Sequence, residues 1–168
     1  ASGTGILELI EELQQEPEMG VPLYGPFINT AVRGMRLAQF YLRSAATGVG
    51  KTRTMVADAC NCACNKIWRN GKWEDNGFSS ASLYITTEQE LDEIQTMCLA
   101  FLADVDEEHI LIGDYDFGEK ERVIEAAKIL ANSPLYVEEI PDFNLRDIEN
   151  IIKRNIRMHG CKYIFYEA

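Results

Sequence analysis

The segment Ala45-Ala46-Thr47-Gly48-Val49-Gly50-Lys51-Thr52 has the residue types and the spacing to hold a chain of phosphates. Gly48 and Gly50 allow the main chain to curl so that successive N–H groups face one concavity. That concavity opens on the N-terminus of a following helix, whose partial positive charge favours an anion. Lys51 supplies an ammonium group for the terminal phosphates, and Thr52 a hydroxyl for Mg2+. Ala45 stands where the first glycine of such a loop is usual. On this reading Ala46, Thr47, Gly48, Val49, Gly50, Lys51, Thr52 and Arg53 contact a nucleoside triphosphate, ATP, carried with Mg2+.

Hydrolysis of that nucleotide would need two further carboxylate roles, one to orient or deprotonate water and one to support Mg2+ from a strand end. Three places in the sequence offer such a group. Glu88 comes just after an apolar run, Glu138-Glu139 follows another, and Glu167 ends a third. All three would lie at the carboxyl edge of a parallel sheet, where ligands of such sheets bind.

The elements that must carry these residues alternate along the chain. Residues 39–44 read as a buried strand, and 51–66 as a helix with Met55, Val56, Ala59, Cys60, Ala63 and Ile67 on its apolar face. Trp68-Arg69-Asn70-Gly71-Lys72-Trp73 reads as a hairpin, since Asn-Gly suits a type I′ turn and the two tryptophans can pair across it. A strand over 82–86 precedes a helix over 88–103, capped by Thr86 or Thr87, with Leu91, Ile94, Cys98 and Phe101 inward. His109-Ile110-Leu111-Ile112 is an apolar run too short to assign. A helix over 119–131 should bury Val123, Ala127 and Leu130. A strand begins at 135–137, a helix capped by Asn144 runs over 145–159 with Leu145, Ile148, Ile151, Ile152 and Ile156 along it, and a last strand covers 162–166. This alternation implies βαβ crossovers, an α/β fold and a mainly parallel sheet flanked by helices. Ahead of it, residues 4–16 place Ile6, Leu7, Ile10 and Leu13 at helical spacing before Pro17, which divides the chain into an amphipathic linker helix over 1–19 and a domain over 20–168.

The chain has 168 residues, 46% of them hydrophobic, enough for one domain with a real core. It has no run of 18 or more apolar residues, so no helix is expected to cross a membrane, and the location expected is cytoplasmic. The net charge of −11 argues against a surface made wholly for nucleic acid. Cys60, Cys62 and Cys64 are separated by single residues, whereas zinc ribbons space paired cysteines by two, so these read as small buried thiols on a helix.

Four stretches taken in order resemble the RecA-like motor domain of DnaB-type replicative DNA helicases. They are Ser44 to Thr52; Leu83-Tyr84-Ile85-Thr86-Thr87-Glu88, similar to a strand ending in Ser-Leu-Glu; Ser133 to Glu139 followed by Pro141; and Asn144 to Tyr166, similar to a long basic-ended helix and the Walker B strand. The resemblance spans roughly residues 20–167 and implies a RecA-like P-loop NTPase fold. It implies that Lys51 and Thr52 contact phosphate and Mg2+, that Glu88 is the catalytic base, and that Glu167 falls at the Walker B aspartate, one methylene longer. It further implies ATP hydrolysis coupled to DNA unwinding by a homo-oligomeric ring, a hexamer. The family's single-stranded DNA loops and arginine finger follow Walker B, and the chain stops inside its last strand. It is therefore expected to be an incomplete, ATP-binding front half with weak nucleotide binding and poor hydrolysis by itself. Lys153, Arg154, Arg157 and Lys162 read as cations favoured at a helix C-terminus rather than as a DNA contact. Two other functions share the loop: a nucleotide-dependent loader or recombination protein, and a small P-loop kinase. The kinase is disfavoured because residues 86–120 hold a single cation, Lys120, where an Arg-rich lid would be needed.

Overall fold

A computed structural model describes residues 28–30, 38–43, 49–77, 79–87, 89–140 and 145–167, with the backbone alone for 28–30, 38–43, 49–51 and 145. The expected helix over 4–16 and its boundary with the domain lie outside the described residues, as do Ala46, Thr47, Gly48, Glu88 and Asn144.

The chain runs β1 (Ile28–Thr30), β2 (Ala38–Arg43), α1 (Val49–Ala63), β3 (Lys66–Arg69), β4 (Lys72–Asp75), β5 (Ser82–Thr86), α2 (Leu91–Ala103), α3 (Glu107–Ile112), α4 (Glu119–Ala131), β6 (Leu135–Glu139), α5 (Leu145–His159) and β7 (Tyr163–Glu167). Five strands form one sheet in the order β1-β2-β7-β5-β6. β2, β7, β5 and β6 are mutually parallel, and β1 runs antiparallel on β2. β1 had no signal in the sequence reading.

Side chains of β5 and β7 alternate between two layers, as the period of a strand requires. Tyr84 and Phe165 stack at a centroid separation of 6.4 Å and join a core of Met55, Val56, Ala59, Cys60, Ile94, Cys98, Leu102, Val123, Ala126 and Ile129. Those residues come from α1, α2 and α4, so these helices share one face. Ile148, Ile152 and Ile156 of α5 are buried too but stand apart from that cluster, with Leu83, Ile85, Ile164 and Tyr166. Right-handed crossovers require this split, because the path from β5 out to β6 and the path back to β7 run in opposite directions.

Met55, Val56, Ala59, Cys60 and Ala63 of the expected apolar face of α1 are all buried, whereas Ile67, expected on the same helix, is buried on β3. Two other helical faces are corrected. On α4, Val123, Ala126 and Ile129 are buried while Ala127 is exposed and Leu130 half-buried, so the inward stripe is turned by about one residue. On α2, Leu91 is 37% exposed because it is the first residue of the helix, not its interior. That helix starts at 91 rather than 88, with Glu90 as N-cap, and the Glu90 N–H donates to Glu93 Oε1 at 3.3 Å. The short run at 109–112 is helical but leaves Leu111 and Ile112 exposed.

The hairpin forms around Asn70 and Gly71, whose φ values of 54° and 76° fit the type I′ turn. Trp68 and Trp73 pair edge to face at 5.4 Å, and the Arg122 guanidinium lies 5.1 Å above Trp68. Helix α1 ends at Ala63, three residues early, because the segment after it satisfies its terminal carbonyls. Asn76 Nδ2 donates to the Asn61 and Cys64 carbonyls at 2.5 and 3.0 Å, Ser79 Oγ donates to Ala63 O at 2.5 Å, and Ser80 N–H donates to Cys62 O at 2.8 Å. The long connection from α1 to β5 is thus a C-terminal cap for α1.

Candidate nucleotide site

The registers of the parallel strands align their carboxyl ends in one row. Arg43 of β2 is opposite Glu167 of β7, Glu167 is opposite Thr86 of β5, and Thr86 is opposite Glu139 of β6. β2 ends in this row at Arg43 and α1 starts at Val49, and the glycine-bearing segment of the sequence leads from one into the other. For Val49, Gly50 and Lys51 the structure describes helical backbone, so their N–H groups belong to the first turn, where no carbonyl of the same helix accepts them.

Thr52 is in that first turn and is 3% exposed. Its Oγ1 donates to Glu167 Oε2 at 2.5 Å. Glu167 is 5% exposed, on the last residue of β7. The extra methylene of a glutamate, relative to the aspartate of the family pattern, therefore does not carry the carboxylate away from Thr52. A buried carboxylate beside a hydroxyl is an all-oxygen donor set, which suits Mg2+.

A second hydroxyl meets the same carboxylate. Thr86, fully buried, donates from Oγ1 to Glu167 Oε1 at 3.4 Å and accepts the Gln89 N–H at 3.0 Å. The Thr87 N–H and Oγ1 both reach the Glu167 carbonyl, at 3.1 and 3.4 Å. On the other side, the Ile140 N–H donates to Thr86 O at 2.9 Å, and Glu139 Oε1 accepts the Leu91 N–H at 3.1 Å. Thr86 and Thr87, before residue 88, and Leu91, after it, are therefore held from both neighbouring strands. Sequence reasoning saw Thr86 only as a helix cap. Its link to Glu167 depends on strand register, which no local signal encodes.

The Glu138-Glu139 pair does not join Thr52. Glu138 takes Arg154 in two hydrogen bonds of 3.0 and 3.3 Å, and Glu139 caps α2. Arg53, exposed at the side chain, pairs with Glu107 of α3. Of Lys153, Arg154, Arg157 and Lys162, Lys153 is engaged with Glu149 at 3.3 Å and Arg154 with Glu138.

All five cysteines are buried. Burial pushes the Cys62 and Cys161 thiols up to about 12. Among the described residues, the one group of three possible metal donors is His109, Asp116 and Glu119, with ligand atoms within 4.8 Å of one another. Hydrogen bonding accounts for it. Glu119 Oε1 accepts from the Asp116 N–H at 2.8 Å and pairs with His109 Nδ1 at 2.8 Å, tying α3 to the start of α4.

The Glu119 hydrogen bond raises the His109 pKa above its ordinary 6.5, and the Asp116 N–H, with His109, lowers that of Glu119 below 4.5. A raised histidine stabilises the fold fully below its unfolded value and loses that effect as pH rises through the folded one. A lowered glutamate stabilises above its unfolded value and loses that effect as pH falls through the folded one. The His109→Ala variant is therefore expected to melt below the parent by the widest margin between pH 4.5 and 6.5, the margin shrinking toward pH 8.5. Thermal unfolding across that range checks it; an unchanging margin would show that the ion pair is not its source.

The parallel sheet, the helix opening over its carboxyl edge and the buried hydroxyl–carboxylate pair beneath define a P-loop α/β domain of the RecA-like type. The family model for the DnaB-like helicase C terminal domain matches residues 20–167, and the chain belongs to that family. It is also 38% identical over 167 residues to the SPbeta prophage-derived uncharacterized protein YorI of Bacillus subtilis (strain 168). That alignment covers 98% of this chain and 33% of the relative, so the chain spans one third of the curated protein it matches. Among the described residues no helix is long and apolar enough to cross a membrane.

Proposed function

We propose that this domain binds ATP with Mg2+ and hydrolyses it as the motor of a DNA helicase. The observation that carries the reading is the 2.5 Å contact between Thr52 Oγ1 and Glu167 Oε2, beneath the first turn of α1. The main-chain amides from Ala46 to Arg53 and the Lys51 ammonium hold the phosphates. Thr52 and Glu167 hold Mg2+, directly or through its waters. The cation, when bound, neutralises charge developing on the phosphate oxygens. Glu88, on the turn held by Thr86, Thr87 and Glu139, accepts the proton of the attacking water.

The whole protein, on this reading, is a cytoplasmic homo-oligomer, a hexameric ring that acts in replication. It grips single-stranded DNA through parts other than those described above. The domain itself comprises residues 20–168, preceded by a linker helix over 1–19.

Lys51→Ala tests the nucleotide site directly. A hydrogen bond to a charged group is worth about 1.5–3 kcal/mol, so ATP–Mg2+ should bind about 10–150-fold more weakly. Titration calorimetry on the intact protein reads this. Undiminished binding, or no binding by the parent protein, would overturn the reading.

A further inference from the structure

We propose that Thr86 is a positioning residue for the metal side of the nucleotide site, an inference that rests on the reading above. A buried glutamate has three side-chain torsions, one more than an aspartate, and needs more than a single contact to hold its carboxylate plane. Glu167 has one oxygen on Thr52 at 2.5 Å and the other on Thr86 at 3.4 Å. The two hydroxyls come from different elements, the first turn of α1 and the end of β5, and both threonines are buried. The carboxylate is thereby clamped across the sheet row.

Thr86 does a second thing with the same atom. Its Oγ1 accepts the Gln89 N–H at 3.0 Å, so one hydroxyl joins the Glu167 carboxylate to the turn between Thr87 and Gln89. That turn bears Glu88. A hydroxyl can donate one hydrogen bond and accept others, and threonine is rigid at χ1. Thr86 therefore ties the Glu167 carboxylate to the backbone at Gln89 through one hydroxyl. A purely structural threonine would need only the bond to Gln89.

The distinguishing measurement is how Mg2+ supports nucleotide binding, not turnover. Outer-shell partners of metal ligands typically change metal affinity by about 10–100-fold when removed. With Thr86→Val, the Mg2+ concentration that half-saturates the ATP complex is expected to rise about tenfold, while ATP affinity in EDTA stays unchanged. Thr86→Ser keeps the hydroxyl and should restore the parent Mg2+ titration. Calorimetric titration of ATP at stepped Mg2+, with a thermal melt of each variant, gives all of these.

An unaltered Mg2+ titration in Thr86→Val would overturn the inference while leaving the nucleotide site intact. So would equal losses with Mg2+ and with EDTA, which would mark a structural role alone. Should Thr86→Val not fold, Thr86→Ser against Thr86→Ala applies the same criterion to the hydroxyl. A parent protein that binds no ATP would overturn both readings.

Discussion

Glu88→Gln is expected to lower ATP turnover in the intact protein by about 10²–10⁴-fold, the usual contribution of a positioned general base. The change keeps size and hydrogen bonding and removes only the basic oxygen. Affinity for ATP–Mg2+ should stay within a small factor of the parent, because the proposed function assigns the phosphates to the α1 turn and Lys51. The described residues on either side of position 88 are held by bonds to Glu167, Thr86 and Glu139. Steady-state hydrolysis paired with equilibrium ATP binding separates the two effects. Turnover that survives the change would exclude Glu88 as the base; joint loss of binding and turnover would point to misfolding of the turn.

Phe165→Ala is expected to be the most damaging single truncation in the core. Phe165 is fully buried on β7, stacks on Tyr84 and lies two residues before Glu167. Phe-to-Ala truncations in cores cost about 3–5 kcal/mol, the lost transfer energy plus the cavity left behind. For a domain of this size each kcal/mol shifts the melting temperature by about 2–4 °C, so a fall of roughly 6–20 °C is expected. Neighbouring strands β2 and β5 both pair with β7, so the cavity opens beneath the row that aligns Arg43, Glu167 and Thr86. Calorimetric unfolding measures the loss, and Phe165→Leu, which refills most of the volume, should recover more than half of it. A Phe165→Ala melt within 2 °C of the parent would mean that β7 is not the central strand of the folded protein.

Some parts of this molecule were legible because their cause is local. Asn70-Gly71 favours positive φ at two successive residues, and the hairpin formed there. The α1 stripe repeats over enough turns for its phase to be read, and Met55, Val56, Ala59, Cys60 and Ala63 are all inside, though Ile67 belongs to β3. On α4 the apolar residues are interspersed with Ala126 and Ala127, two small residues that fit either phase, so packing against α2 chose Ala126. The segment over 107–112 is short, and its helix owes its start to the Asp106 carboxylate, which accepts the Glu108 N–H at 2.8 Å.

By itself the sequence determined the class of the domain and the chemistry of its ends. Glycines, a lysine and a threonine in fixed spacing make a phosphate-binding turn wherever a strand feeds a helix, and alternating apolar periods make the parallel sheet. Only the tertiary structure showed that Glu167, by its side chain, meets Thr52 of that turn. Glu138, Glu139 and Glu167 are alike as strand-end carboxylates, but the strand order puts β7 next to β2 and leaves β6 at the far edge of the sheet. Register then sets Thr86 against Glu167, across 81 residues of chain. Such pairings depend on which strands become neighbours, and that is settled by burying two helical layers at once, a property of the whole chain and not of any segment.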